Sequence, residues 1–274
     1  MVHRIPRGIV AEATARTMFT LTRYPPAPEL AEFVDYHWVL RWDLRGKPPH
    51  EQRVLPNIAV NVTFFPGASG VYGPARAVFS HRLAGRVHGL GARFRPGCFR
   101  AFLDGPVGDI ADRAVPLADV FGPAGPQAAE SVRTAAGDAE MVRAIDNLLI
   151  AKPRVLTPAA RLAAAAVEQI ARDPGIIRVA QLCADTGLTT RSLQRLFAEH
   201  VGCPPKWAIR IYRLNDAAQQ LGAGTSPDYA GLAVRLGYSD QSHFIRDFRT
   251  VTGQSPGEYA RTARTPAGPD RKWT

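Results

Sequence analysis

Cysteine is scarce in this chain of 274 residues. The three present, Cys98, Cys183 and Cys203, are odd in number, widely spaced and in no CxxC pair. That argues against a disulfide framework and against a cysteine zinc site, and the three read as small buried apolar residues. Long apolar runs are also missing, since none approaches the ~20 residues a membrane span needs. The opening MVHRIPRGIVAEATARTMFTL lacks the continuous apolar core and cleavage pattern of a secretory signal. A reducing cytoplasm is the expected compartment, and no membrane partner is expected. No GxSxG, P-loop or GxGxxG in a strand–helix context occurs. The histidines His37, His50, His81 and His88 are scattered, with no HxH pair. Neither catalytic residues nor a metal or cofactor is therefore assigned.

Acidic residues are outnumbered. Lys and Arg total 34 against 24 Asp and Glu, a formal net charge of +10, and the pI is near 10.1. Such a balance favours a polyanionic partner, nucleic acid or an anionic surface, without choosing between them. From Arg178 to Thr274 there are 13 Arg and Lys against 8 Asp and Glu. The bias is thus denser at the C-terminal end. The length suits two domains of ordinary size, each able to bury a core.

Taken in order, residues 1–22 read as a loosely ordered lead-in. From Tyr24 to about Phe99 the texture is β. Short apolar runs such as VDYHWVLRWDL, RVLPNIAVNVTFF, GVYG, AVFSHRLAG and VHGLGARFRPG are separated by Pro and Gly clusters. Strands at this spacing suggest a small barrel or sandwich. From Pro126 to about Ile150 the pattern turns helical, with Gly137 dividing it, and Pro153 places the likeliest linker at 151–157. Pro158–Arg172 is a strong alanine-rich helix former stopped by Asp173, Pro174 and Gly175. Helical texture continues to about Ala263, and TPAGPDRKWT reads as a disordered tail.

The C-terminal part repeats itself. VAQLCADTGLTTRSLQRLFAEHVG (179–202) matches YAGLAVRLGYSDQSHFIRDFRTVTG (229–253). Leu182, Cys183 and Gly187 stand 50 residues before Leu232, Ala233 and Gly237. Leu193, Arg195, Phe197, Gly202 and Pro205 stand 51 before Phe244, Arg246, Phe248, Gly253 and Pro256. The single-residue slip falls in the turn or at the start of the second helix. Each copy is a helix with an apolar face, a glycine turn, and a second helix with apolar residues at i and i+4 and polar residues opposite. That is the pattern of a helix-turn-helix, with a buried first helix and an exposed second one. Between the copies, Trp207, Ile211, Leu214, Ala218 and Leu221 form an apolar stripe on a helix from Pro205 to Leu221, about 25 Å long. Two recognition helices so separated fit successive major grooves, which recur about every 34 Å.

At this point the residues resemble the AraC-type (AraC/XylS) bacterial transcription regulators. The likeness covers about Pro174 to Arg261 and rests on the first unit, RIYRLNDAAQQL, LGYSDQSHFIRDFR and the closing TGQSPGEYA. In that family the C-terminal region is a seven-helix module with two helix-turn-helix units. The resemblance implies base contacts from Thr190, Arg191, Gln194 and Arg195 in the first unit. In the second it implies Gln241, Ser242, Ile245 and Arg246, with His243 adjacent. Arg and Gln are also the side chains that geometry favours for bidentate contacts to guanine and adenine. Asp240 is better assigned to capping the helix. Lys206, Arg210 and Arg249 are candidates for phosphate pairing or for solvated surface charge. YPPAPELAEFVDYHWVLRW, RVLPN, GARFRPGCFRAFL and DRAVPLADVFG resemble the sensor-type domains that precede the module in a subset of the family, which are cupin-like barrels.

The expected fold is therefore α+β: a cupin-like, β-rich domain over 23–125, a helical segment and linker over 126–157, the double helix-turn-helix over 158–263 and a tail over 264–274. Double-stranded DNA is the expected partner. The resemblance suggests RNA polymerase as a second partner and activation as the mode, though repression is equally compatible. Trp38, Arg41, Trp42 and Arg53 are candidates for lining an effector cavity, with plain core as the alternative for the aromatics. The helices of 126–150 are candidates for a homodimer contact or for packing on the barrel. Two other function classes compete. A cupin-type metal enzyme needs two close histidines and a carboxylate with a further histidine. A non-specific nucleic-acid binder predicts steep salt dependence without a preferred site. A repair methyltransferase fused to the same module would need a reactive zinc-bound cysteine cluster, which is missing.

Overall fold

One long strand gives the N-terminal half two faces. The computed structural model describes residues 8–152, 154–223 and 228–264. They open with α1 (Glu12–Met18), β1 (Thr20–Tyr24), β2 (Val34–Leu44), β3 (His50–Val54) and β4 (Asn61–Phe64). Next come β5 (Gly70–Tyr72), β6 (Phe79–Leu83), β7 (Gly85–Phe94) and β8 (Ala114–Val115). Helices α2 (Leu117–Phe121), α3 (Ala124–Thr134) and α4 (Asp138–Ala151) follow. Strands β1-β2-β7-β4-β5-β8 pair in that order as one antiparallel sheet, and β3 and β6 form a separate ribbon. The α+β class and the β-rich N-terminal half are as the sequence implies.

Side chains alternate along β2, as a pleated strand requires. His37, Val39 and Arg41 face α4. The His37 Nε2 atom lies 2.8 Å from Asp146 Oδ1, and Arg41 Nη1 donates to Asp138 Oδ2 at 2.9 Å. Val39 joins Met141, Ile145, Leu148 and Leu149 in the main core. A register shift between Val34 and Tyr36 puts Val34 on this same side, because one extra residue reverses the parity. Beyond the bulge, Leu40, Trp42 and Leu44 face the opposite side, toward the ribbon. Trp42 and Leu44 are buried there with Ala15, Phe19 and Leu83. On β7 a Cβ at Gly89 or Gly91 would stand 2.3 Å from the ring of Phe65 or Trp38. The two glycines let those rings lie flat on the strand.

Two expectations are corrected. The lead-in is not loose over its described part: α1 and β1 occupy residues 12–24, and the expected boundary at 22 falls inside β1. The cause is long-range pairing. Thr20–Tyr24 runs antiparallel along Arg41–His37, while Ala15 and Phe19 close over Trp42. The run RVLPNIAVNVTFF is not one stretch of strand either. Pairing stops at Val54 and resumes at Asn61, because Pro56 has no N–H to donate and the Asn57 side chain takes the N–H of Ala59 at 3.0 Å. Residues 55–60 are a loop; Leu55 and Ile58 turn away from the sheet, and Val60 returns to it, its carbonyl accepting from Phe94 N at 2.9 Å. The last helix runs to Arg264, one residue into the expected tail, and the remainder of that tail, 265–274, lies outside the described residues, as do 1–7.

The C-terminal half is helical: α5 (Pro158–Arg172), α6 (Val179–Thr186), α7 (Thr190–His200), α8 (Pro205–Gly222), α9 (Tyr229–Arg235), α10 (Gln241–Thr252) and α11 (Pro256–Arg264). Pro158 sits at the first turn of α5 behind Thr157, whose side chain caps Ala160 N. Two clusters result. Ile170, Leu182, Leu193, Phe197, Ala208 and Ile209 form one, and Leu214, Leu221, Leu232, Phe244, Phe248 and Tyr259 form the other. Helix α8 contributes to both. The helices α3 and α4 pack on the sheet through Val132, Met141 and Ile145.

Burial separates the thiols. It pushes Cys203 up to about 12 and Cys98 to about 11, whereas Cys183 on α6 is only half-buried. A maleimide added to the native chain at about pH 7.5 is expected to label Cys183 alone, since the thiolate is the reacting form. Mass spectrometry after digestion checks this, and rapid labelling of Cys98 or Cys203 would contradict the packing described.

Candidate nucleic-acid interface

Both helix-turn-helix units are built from the same local devices. In the first, α6 ends on Gly187 at φ +69°, and α7 starts behind Thr189, whose Oγ1 accepts from Ser192 N at 3.2 Å. In the second, Asp228 caps α9, Gly237 turns the chain at φ +69°, and Asp240 accepts from His243 N at 2.7 Å to start α10. Gly202 and Gly253 follow the two second helices at φ +82° and +73°. The matched glycines thus share a left-handed backbone that side chains resist. The caps Thr189 and Asp240 are 51 residues apart, so the one-residue slip lies in the turn, where the second unit carries Tyr238 and Ser239 against Leu188 alone.

Helical spacing then sorts the faces. Leu193 and Phe197 on α7, and Phe244, Phe248 and Val251 on α10, are buried. Thr190, Arg191, Gln194 and Arg195 are exposed on α7; Gln241, Ser242, His243 and Arg246 are exposed on α10. Ile245 is half-buried against the second core. Among the described residues Arg191, Arg195 and Arg246 form no ion pair with an acidic side chain, so their guanidinium groups stay open to an outside acceptor. The His243 ring leans back on Tyr238, with its Nδ1 3.4 Å from Ser239 Oγ.

Arg210 is corrected. It does not stand free for a phosphate: its Nε donates to Asp247 Oδ2 at 3.0 Å, and the guanidinium lies 4.9 Å over the Trp207 ring. Asp247 also accepts from the buried Tyr238 hydroxyl at 2.5 Å, and Arg213 covers the Tyr238 ring at 4.6 Å. Burial, with the Asp247 hydrogen bond, raises the Tyr238 hydroxyl well above its ordinary range, and burial lowers Arg213. This network fixes α8 against α10. Lys206 and Arg249 remain exposed.

The four effector candidates do not converge. Strand alternation sends Arg41 to Asp138 of α4, on the side of β2 opposite Trp38 and Trp42. Trp42 is buried with its Nε1 on Ala84 O at 3.0 Å. Arg53 reaches across to the helical half, where its Nη2 donates to Thr252 O at 2.7 Å. What the fold assembles instead is a hollow of about 190 Å³ lined by Trp42, Phe65, His81, Arg82 and Val87, with Trp42 stacked on Phe65 at 6.1 Å and Trp38 tilted against the same ring at 5.7 Å. No local pattern in the sequence pairs Phe65 with His81, because one lies just after β4 and the other on β6. Among the described residues no three His, Cys, Asp or Glu group as a metal ion would need.

Residues 182–262 match the profile of a family described as a helix-turn-helix domain, and residues 22–116 match one described as a domain of unknown function (DUF6597). Residues 182–262, which hold both helix-turn-helix units from within α6 onward, thus match a helix-turn-helix domain family. Over 104 residues the chain is 31% identical to a "probable thc operon regulatory protein" of Rhodococcus erythropolis, covering 37% of this chain. It spans 31%, about a third, of that relative's length. Among solved structures, the C-terminal domain of AraT, a response regulator from Geobacillus stearothermophilus, is 22% identical at a TM-score of 0.35, over 43% of this chain and 93% of that one. ToxT from Vibrio cholerae O395 is 10% identical at 0.38, over 90% of this chain and 99% of that one.

The Asp240 cap makes α10 sensitive to acid. The His243 N–H, helped by the Ser239 hydroxyl, holds the Asp240 carboxyl below its usual range. Its contribution is present above the ordinary carboxylate value near pH 4 and is lost as pH falls through the lowered one. The difference in thermal midpoint between wild type and Asp240→Asn is therefore expected to narrow in acid. A difference independent of pH would remove the charge from the cap.

Proposed function

We propose that the chain is a sequence-specific DNA-binding regulator of transcription that lays α7 and α10 into successive major grooves on one face of a duplex. The observation that carries the proposal is the pair of open guanidinium groups, Arg195 and Arg246, at the same place on two helices of one design. Arginine suits the O6 and N7 edge of guanine, and Gln194 and Gln241 suit adenine. Thr190, Arg191, Ser242, Ile245 and His243 complete the two faces, with Lys206 and Arg249 as phosphate contacts. Helix α8, 18 residues long, spans about 27 Å between the units. The net charge of +10 supplies the sequence-independent attraction. The relative named for operon regulation supports the same reading.

The N-terminal domain is the natural place for a small effector, and the hollow by Trp42, Phe65 and Arg82 combines flat apolar walls with a cation at the rim. Contact with RNA polymerase and pairing of two copies belong to the proposal on the strength of the family resemblance alone. The cytoplasm is where such a protein meets its DNA. No catalytic step is assigned to it.

Arg195→Ala and Arg246→Ala are each expected to weaken binding at the preferred site by about 1–3 kcal/mol and to relax selectivity at the bases they touch, whereas Lys206→Ala should weaken all sequences alike. Competition binding against duplexes with single base changes checks this. Unaltered discrimination in both arginine variants would refute the assignment, and a wild type with no preferred duplex would favour the non-specific binder.

A further inference from the structure

The loop between β3 and β4, read from the sequence as part of a strand, leaves the N-terminal domain and enters both helical cores. Leu55, 3% exposed, is buried in the cluster formed by α8, α9, α10 and α11. Ile58, also 3% exposed, is buried three residues later in the cluster of α5, α6, α7 and α8. Between them Pro56 O accepts from Asn215 Nδ2 of α8 at 3.3 Å. The loop is braced from its own domain, since Asn57 Oδ1 accepts from Arg93 at 3.2 Å and Leu55 N donates to Gly8 O at 2.7 Å. At its start, Arg53 caps the last turn of α10 through Thr252 O.

One short segment therefore holds both recognition units by apolar side chains and the connecting helix by a hydrogen bond. From this, and resting on the DNA-reading function proposed above, we infer that Leu55, Pro56 and Ile58 form a staple that sets the placement of α7 relative to α10. They are positioning residues. They touch no DNA, yet they fix which spacing between the two contacted base sets the protein accepts. Among the described residues of the helical domain, α8 is the helix shared by both cores, and Ile177, just before α6, reaches the Gly237 turn of the second unit. A change in the N-terminal sheet or ribbon reaches both readers through this loop.

The test uses the full chain with spin labels at Ala184→Cys on α6 and Thr250→Cys on α10, both exposed, in a Cys183→Ser background. Pulsed dipolar spectroscopy is expected to give one narrow distance for this reference protein. Adding Leu55→Ala or Ile58→Ala should broaden it, and Asn215→Ala, which leaves both cores filled, should broaden it less. Duplexes selected by wild type from a random-sequence pool are then lengthened by one base pair between the two contacted segments. Wild type is expected to lose about tenfold or more, and the three variants about threefold or less, while their salt dependence is kept. An unbroadened distance in all three variants overturns the staple, as does a spacing penalty equal to that of wild type. If wild type selects no preferred duplex, the regulator proposal falls while the distance measurement still decides the staple.

Discussion

Helix α8 belongs to two hydrophobic cores at once, and the organisation of the C-terminal half depends on that shared membership. A unit of two short helices buries too little to stand alone, so each needs a third surface. The first takes Ala208 and Ile209 from the start of α8; the second takes Ile211, Leu214 and Leu221 from its remainder. Direction is added by polar bonds, with Arg210 reaching Asp247 and Arg213 lying over Tyr238. Apolar burial is non-directional, whereas these contacts fix rotation about the helix axis. The exposed faces of α7 and α10 inherit their orientation from that combination.

Much of this half was legible in the chain because its determinants are local. Phe244 and Phe248 are one helical turn apart, Gly237 marks a left-handed turn, and Asp240 precedes an N–H it can accept. Each signal lies within a few residues of what it controls. The duplication added a second copy, which turned a plausible hairpin into a pair. The N-terminal half behaves differently. Which face Trp38 or Arg41 occupies depends on a strand parity that the bulge near Tyr36 resets. The partner of Arg53 is 199 residues away. The Leu55–Val60 run has a strand's composition, and no local pattern reports that Val60 stays in the sheet core while Leu55 and Ile58 are destined for helices at the far end of the chain.

Charge is used in two ways. On α7 and α10, Arg195 and Arg246 are exposed and form no ion pair among the described residues. Other arginines are matched: Arg41 with Asp138, Arg100 with Glu199 at 2.5 Å, and Arg161 with Glu32 at 2.5 Å. The Arg100 and Arg161 pairs join the N-terminal domain to the helical one. Exposed pairs of this kind add little to stability, but they orient the surfaces they join.

Gly253 shows how closely the halves are fitted. Its positive φ already favours glycine, and a Cβ there would stand 2.5 Å from Arg53 Nη2. The space of one absent methyl group is thus occupied by a guanidinium from another domain. A side chain at 253 would both strain the turn after α10 and push away the arginine that caps it. The strain of the turn would remain even if the flexible Arg53 side chain swung aside, and that movement would uncap Thr252 O, so a helix terminator of the second unit is also a seat for the N-terminal domain.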